Sequence, residues 1–184
     1  MQIDRIYYPV KTLGYGNRIG IWTVGCTHQC KKCSNPELWE RNPLKDISVE
    51  NIISCVQQIK DADGITITGG EPFQQAEELR TLVTRLNEIG YEDILVYSGY
   101  TLDELKLQGD KVKQILDNIS VLVDGRYIDE LNDNKSFRGS SNQKIYRLND
   151  SIIDRYANAE EWERVSQIVM NDDKIQLIGV PIKK

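Results

Sequence analysis

Three cysteines lie within one short segment, Cys26, Cys30 and Cys33, in the pattern C-x3-C-x2-C. Thiolates spaced this closely can bind one metal centre from a single loop. A structural zinc site uses four protein ligands, whereas three thiolates can hold an iron–sulfur cluster and leave one iron free for a small-molecule ligand. The spacing therefore favours a reactive metal centre, although the triplet alone does not choose the metal.

Zinc is the simpler alternative, and it would need a fourth ligand from His28, the only histidine, or from Cys55. His28 lies inside the cysteine segment, where we expect it to bond to the backbone or to face a cleft. Cys55 lies between Ile53 and Val56 in a predicted helix, and the expected role there is that of a small buried apolar residue. A zinc-stabilised binding module without catalysis remains an alternative hypothesis.

Composition narrows the class of protein. The chain has 184 residues, of which 40% are hydrophobic, and this length fits one domain with a proper core. A net charge of -5 offers no basic stripe for nucleic acid. The first ten residues lack the features of a signal peptide, and no apolar run reaches the ~20 residues that span a bilayer. We therefore expect a cytoplasmic protein without membrane or nucleic-acid partners, in which clustered cysteines indicate metal or redox chemistry.

Short apolar runs alternate with helical patterns along the chain. Strands are predicted at 19–25, 64–70, 94–98 and 121–124, and helices at 48–60, 74–87 and 101–118. Strand, helix and strand at this spacing predict an α/β fold with right-handed crossovers and a parallel sheet. Beyond residue 149 we expect a polar helical stretch at 157–164 and then two apolar runs, 165–170 and 175–182, joined by a hairpin turn at 171–173.

The segments that could do chemistry follow the predicted strands. Gly69-Gly70-Glu71-Pro72, Tyr97-Ser98-Gly99-Tyr100 and Asp124-Gly125 each come directly after a strand, as does the cysteine segment. Because ligands collect at the carboxyl ends of parallel strands, we expect these segments to share one rim. The two glycines let a ligand approach the backbone, and Glu71 supplies a carboxylate for an ammonium group. An ordinary strand-to-helix turn is the alternative for this glycine pair.

The cysteine triplet followed by Gly-Gly-Glu-Pro resembles the radical S-adenosylmethionine (SAM) enzymes, whose free iron chelates the amino-acid end of SAM. Further segments, which together span about residues 5 to 148, resemble one branch of these enzymes, the activating proteins of anaerobic, class III ribonucleotide reductases. These segments are 7–10, 25–35, Trp39, 97–105, 121–125 and 138–143.

The resemblance implies a fold and a division of the chain. The fold is an incomplete (β/α) barrel built on a parallel sheet, formed by residues 1–148, with an open side that suits a large protein substrate. Residues 149–184 would be a C-terminal hairpin extension packed on the same domain, which the shortest members of the family lack.

The resemblance also implies an activity. A reduced [4Fe-4S] cluster passes one electron to SAM, and the resulting 5'-deoxyadenosyl radical takes a hydrogen from a glycine Cα of a partner, leaving a glycyl radical. The partner would be the anaerobic reductase. Because the chain has no second cysteine cluster, electrons would come from an external donor such as flavodoxin or ferredoxin. The same chemistry on a different protein or peptide is the alternative, and the extension motivates it.

Roles for individual residues follow from the same resemblance, with no catalytic residue beyond the cluster and SAM. The cluster ligands would be Cys26, Cys30 and Cys33, and the SAM-binding residues Lys32, Ser34, Gly69, Gly70, Glu71, Ser98, Asp124 and Arg138. Three of these have an ordinary alternative: Ser98 as a turn hydroxyl, Asp124 as a helix cap and Arg138 as a surface charge.

Overall fold

A six-stranded sheet forms the centre of the computed structural model, which describes residues 1–171 and 174–182. Its strands are adjacent in chain order: β1 (Ile3–Val10), β2 (Arg18–Thr23), β3 (Gly64–Gly69), β4 (Ile94–Tyr97), β5 (Val121–Asp124) and β6 (Lys144–Arg147). Strands β2 to β5 are parallel, whereas β1 and β6 pair antiparallel at the two edges. The predicted parallel sheet is confirmed for four strands within a mixed α/β fold.

The helices are α1 (Val49–Gln58), α2 (Ala76–Glu88), α3 (Leu102–Lys106) and α4 (Asp110–Asn118). Helix α1 begins at Ser48, whose side chain accepts a hydrogen bond from the backbone N–H of Asn51, as the capping pattern predicts. The helical stretch predicted at 101–118 is two helices, because the backbone at Gly109 takes a φ of +87° that a helix cannot continue through. In the described ranges, no helix is long and apolar enough to cross a membrane.

The helices bury one apolar stripe each against the sheet. In α1 this stripe is formed by Val49, Ile52, Ile53 and Val56, which pack with the β-branched residues of β2 and β3. The expectation that Cys55 is buried is wrong: its side chain is exposed. Position 55 falls outside the stripe, so the helical periodicity turns it to solvent.

The extension packs on the sheet without forming the helix predicted at 157–164. Short 3-10 turns occur at Asp150–Tyr156 and Ala159–Glu161, and the backbone is extended at Trp162. With the backbone extended at this residue, the Trp162 ring packs edge-on against Phe137, with 4.9 Å between ring centroids.

Two further strands, β7 (Gln167–Asn171) and β8 (Lys174–Ile178), pair antiparallel as a separate two-stranded sheet. Residues 172 and 173 of the predicted turn lie outside the described residues. Val169 and Ile178 of these strands are buried in a cluster with Leu13 and Trp22, next to the first edge of the large sheet.

Candidate active site

A cleft of about 270 Å³ lies at the carboxyl ends of the parallel strands. The three clustered cysteines line it together with the turn after β3 and the turn after β4. A larger cavity of about 450 Å³ lies at the opposite, amino-terminal ends of the strands and is lined by acidic residues such as Asp61 and Asp63. The residues that could do chemistry therefore share one rim, as the strand order predicts, and they share the smaller cavity.

The cysteine loop leaves β2 through a tightly turned backbone. Gln29 and Lys32 have φ values of +45° and +59°, and each directly precedes a cysteine. Side chains other than glycine rarely adopt this left-handed conformation, which is retained mainly where a functional geometry requires it. The N–H of Cys33 donates to the carbonyl of Cys30 at 3.1 Å and closes the last turn of the loop.

The three thiols are half-buried. Burial raises the pKa of Cys26 and of Cys30, so both are protonated at neutral pH in the metal-free chain. Thiolate ligation would therefore release protons. Within residues 1–171 and 174–182, no three His, Cys, Asp or Glu side chains are already arranged to hold a metal ion. The thiols line a common cleft, and the donor set suits an iron–sulfur cluster.

The turn after β3 lies directly on the cysteine loop. The N–H of Gly70 donates to the carbonyl of Thr23, and the N–H of Glu71 donates to the carbonyl of Gly25, both at 2.8 Å. A Cβ at Gly70 would lie 2.5 Å from the carbonyl oxygen of Gly25. Glycine at position 70 is therefore required by the contact between the two loops.

The Glu71 carboxylate joins the turn after β3 to the turn after β4. Its Oε1 accepts hydrogen bonds from the N–H of Phe73 and the hydroxyl of Ser98, both at 3.0 Å, and its Oε2 accepts one from the N–H of Gly99 at 2.6 Å. The side chain is 1% exposed. A buried carboxylate with three donors is a strong internal tie between the loops.

His28 completes this junction from the cysteine loop and lines the cleft. Its Nε2 lies 3.3 Å from Oε2 of Glu71, but the two groups are not aligned for a hydrogen bond. The imidazole packs edge-on against the ring of Tyr100, with 4.4 Å between centroids. A Cβ at Gly99 would lie 2.5 Å from Cδ2 of the same imidazole, so a side chain at this position would have to displace His28.

The other predicted SAM contacts fall into two groups. Lys32, Ser34 and Ser98 line the cleft, and the ammonium of Lys32 lies 2.8 Å from Asp129. Asp124 and Arg138 are not among the residues that line it.

The carboxylate of Asp124 is used by the backbone at the end of β5. It accepts hydrogen bonds from the N–H of Leu102 at 2.6 Å and from the N–H of Lys144 at 3.1 Å. The guanidinium of Arg138 pairs with Asp133 at 2.5 Å. The structure therefore gives Asp124 the capping role that the sequence left as its alternative.

The structure adds wall residues to which the sequence assigned no individual role. Trp39 and Tyr97 line the cleft, as does the segment 177–181 of the extension. Tyr97 follows from its position at the end of β4, but the approach of Trp39 and of the extension depends on contacts between distant parts of the chain.

Three of the wall side chains carry buried polar atoms without hydrogen-bond partners among the described residues: Nε2 of His28, Nε1 of Trp39 and the hydroxyl of Tyr97. Burial also raises the pKa of Tyr97, so its hydroxyl keeps its proton and is available as a donor. Native proteins rarely leave buried polar groups unpaired, and a cluster of them in one cleft indicates a bound polar ligand.

Residues 12–146 match a family model described as a 4Fe-4S single cluster domain, so sequence and cleft together define an iron–sulfur protein of the single-cluster class. The anaerobic ribonucleoside-triphosphate reductase-activating protein of Salmonella typhimurium is 35% identical over 151 residues, which cover 77% of this chain and 96% of that protein. Its counterpart in Escherichia coli K12 is 36% identical with the same coverage. The chain belongs to the family of anaerobic ribonucleoside-triphosphate reductase-activating proteins.

Matches at lower identity extend the comparison. The activating protein of bacteriophage T4 is 28% identical over 157 residues, covering 83% of this chain and 97% of that protein. The crystal structure of QueE from Escherichia coli superposes with a TM-score of 0.45 at 21% identity, covering 54% of this chain and 52% of that one. The family model ends at residue 146, so the extension lies outside the region that this model matches.

Proposed function

We propose that this chain is a radical SAM activase that generates a glycyl radical on an anaerobic ribonucleoside-triphosphate reductase. The observation that carries the proposal is the convergence of three thiols, a glycine pair and unpaired buried polar atoms in one cleft. Cys26, Cys30 and Cys33 would hold a [4Fe-4S] cluster, with SAM at the open iron. When bound, the reduced cluster supplies one electron that cleaves SAM to methionine and the radical that removes hydrogen from the partner's glycine.

The residues of the chain then bind and orient SAM. Gly69 and Gly70 carry no side chain, so the amino-acid end of SAM can lie against their backbone. Glu71 is the predicted partner of the ammonium group, and its three internal hydrogen bonds also fix the position of that backbone. This pre-organisation reduces the free-energy cost of holding the sulfonium next to the cluster.

The remaining predicted contacts take direct or indirect roles in the proposal. Lys32, Ser34 and Ser98 line the cleft and are the side chains that we propose to contact SAM. Asp124 and Arg138 would support the site indirectly. Asp124 accepts a hydrogen bond from the first backbone N–H of α3, and Arg138 forms an ion pair with Asp133. A partner segment that fills the open side of the cleft would exclude water, which protects a reactive radical from side reactions.

The proposal also covers the architecture and the setting of the protein. The six-stranded sheet, whose edge strands β1 and β6 do not pair with each other among the described residues, would be an incomplete (β/α) barrel whose open side admits the partner's glycine segment. Residues 1–148 and the extension 149–184 would fold as one domain. The expected cytoplasmic location and an external electron donor such as flavodoxin or ferredoxin belong to the same proposal.

A second candidate is the same chemistry on a different protein or peptide, and the additional segment beyond the matched region favours considering it. A zinc-stabilised module without catalysis is the third. Metal analysis after anaerobic reconstitution separates the last from the first two, since one equivalent of zinc with no iron would contradict both enzyme hypotheses.

The decisive experiment measures 5'-deoxyadenosine released by the reconstituted protein supplied with SAM and a strong reductant. We expect product from the wild type and from Cys55→Ala, and none from Cys30→Ala. Adding the anaerobic reductase should then give a glycyl-radical signal in electron paramagnetic resonance. Release of 5'-deoxyadenosine without that signal would reject the reductase as substrate and favour the second candidate.

A further inference from the structure

The β7–β8 hairpin presents an apolar face to solvent. Four side chains form this face, and each is between 54% and 75% exposed: Ile168, Met170, Ile175 and Leu177. Ile168 lies opposite Leu177 and Met170 lies opposite Ile175, so the four are cross-strand neighbours. Antiparallel ribbons that cover a core normally turn polar residues outward, and an exposed apolar cluster of this kind marks an interaction surface. We refer to these four residues as the hairpin face.

The opposite side of the hairpin packs against the first edge of the sheet through Val169, Ile178 and Gln167. Val169 and Ile178 are buried, and the hydroxyl of Thr12 donates to the carbonyl of Ile178 at 3.2 Å. The side chain of Gln167 accepts from the N–H of Lys11 at 3.0 Å and donates to the carbonyl of Pro9 at 2.8 Å. The hairpin is therefore anchored at the first edge of the sheet by its inner side, and the outer apolar side chains take no part in that anchoring.

The hairpin face continues into the wall of the cleft. Leu177 belongs to both, and the residues that follow it, 178–181, line the cleft as well. The guanidinium of Arg164 holds this wall in place, donating to the carbonyl of Pro181 at 2.8 Å and to the carbonyl of Arg138 at 2.6 Å. A macromolecule that inserts a segment into the cleft on this side would cover the hairpin face at the same time.

We propose that the hairpin face is a docking surface for the protein whose glycine enters the cleft, the anaerobic reductase. The inference rests on the proposed function. The family model ends at residue 146, so the hairpin face lies outside the region that this model matches. The complementary patch on the reductase is expected to be apolar and aromatic at its centre. A second copy of this chain is the competing occupant, but its binding would obstruct the cleft.

The test compares two double variants of the full-length, reconstituted protein. Ile168→Thr with Ile175→Thr removes apolar surface from the hairpin face while keeping β-branched side chains in both strands. Leu44→Thr with Leu107→Thr is the matched control at two exposed leucines that do not line the cleft. We expect the first to weaken binding of the reductase at least about tenfold, and the control to change it by less than about twofold.

Partner-free release of 5'-deoxyadenosine provides the internal standard, and both variants should match the wild type in it. Unchanged affinity of the hairpin variant for the reductase would overturn the inference. If that variant also sediments as a monomer where the wild type sediments as a dimer, the hairpin face binds a second copy of this chain instead. Absence of 5'-deoxyadenosine from the wild type would instead reject the proposed function. If the hairpin variant melts early, the single change Met170→Thr repeats the measurement with one altered side chain, and unchanged affinity there also counts against the inference.

Discussion

The four cysteines differ in where the fold places them. Cys26, Cys30 and Cys33 are half-buried and line the cleft, whereas Cys55 is exposed on the outer side of α1. We therefore expect Cys33→Ser to lose most of the iron bound on anaerobic reconstitution, because serine is a poor ligand for iron in such clusters. Cys55→Ser should keep it. Iron and acid-labile sulfide content check both variants, and loss of iron in Cys55→Ser would show that the ligand set is misassigned.

The Glu71 side chain holds the turns after β3 and β4 together. Its two carboxylate oxygens accept from three donors, so Glu71→Gln leaves one oxygen for them and sets an NH2 group against the N–H of Gly99. We expect a loss of about 1–3 kcal/mol in the free energy of unfolding, together with weaker SAM binding. Denaturant unfolding measures the first. Glu78→Gln, at an exposed position of α2, is the control and should change the stability by less than about 0.5 kcal/mol.

At the scale of elements, the loops after β2 and β4 meet at one crowded contact. A Cβ at Gly99 would lie 2.5 Å from Cδ2 of His28, and the backbone there has no left-handed φ that would exclude alanine. Gly99→Ala should therefore displace the cysteine loop, at a cost of about 1–3 kcal/mol, and lower its iron content.

Adding His28→Ala to Gly99→Ala removes the ring that the new methyl group would contact. The double variant should then bind more iron than Gly99→Ala alone, with His28→Ala as the fourth member of the cycle. Equal iron content in Gly99→Ala and the double variant would mean that the two loops are not coupled through this contact.

Most of the sheet could be predicted from the sequence, for a physical reason. Strands β2 to β5 are buried on both faces, so each is a short run of mainly apolar and β-branched residues. Such a run predicts a strand without any knowledge of the strands that pair with it. The edge strands β1 and β6 mix polar and apolar residues and were not predicted, because their strand conformation is stabilised mainly by pairing with β2 and β5. The apolar spacing alone predicted one continuous helix at 101–118, and it did not show the break at Gly109.

The residues of the candidate site also divide into those that the sequence could place and those that it could not. Residues that directly follow a strand, such as Ser98 and the cysteine loop, could be placed at one rim because the strand order fixes where strand ends meet. Trp39 and the segment 177–181 could not, since long-range packing brings them to the cleft. The capping role of Asp124 became evident only when its two backbone donors, from α3 and β6, were seen together.

At the scale of the whole molecule, a buried charge ties the extension to the sheet. The guanidinium of Arg18, at the start of β2, is fully buried and donates to Thr66 at 2.7 Å, to Asp93 at 3.0 Å and to the hydroxyl of Tyr156 at 2.9 Å. Tyr156 belongs to the extension and donates in turn to Asp93 at 3.0 Å. A buried ion pair is stable only when additional hydrogen bonds satisfy its remaining donors and acceptors. The buried Arg18–Asp93 pair within residues 1–148 therefore depends in part on a hydroxyl of the extension.

Tyr156→Phe tests whether the extension and the sheet form one cooperative unit. The change keeps the ring, which packs beside Phe137, and removes the hydroxyl that bridges Arg18 and Asp93. We expect a loss of about 1–3 kcal/mol, since two buried charged groups each lose a partner. Tyr91→Phe, outside this network, should cost less than about 0.5 kcal/mol.

The form of the unfolding curve carries the second half of the test. Far-ultraviolet circular dichroism follows the whole fold, and tryptophan fluorescence follows Trp162 of the extension in a background in which Trp22 and Trp39 are replaced by phenylalanine. If the extension is part of one domain, the two signals should change in a single coincident transition, and Tyr156→Phe should move both midpoints equally. Separate transitions, with only the fluorescence signal shifted, would instead make the extension an independently unfolding segment docked on a complete 1–148 domain.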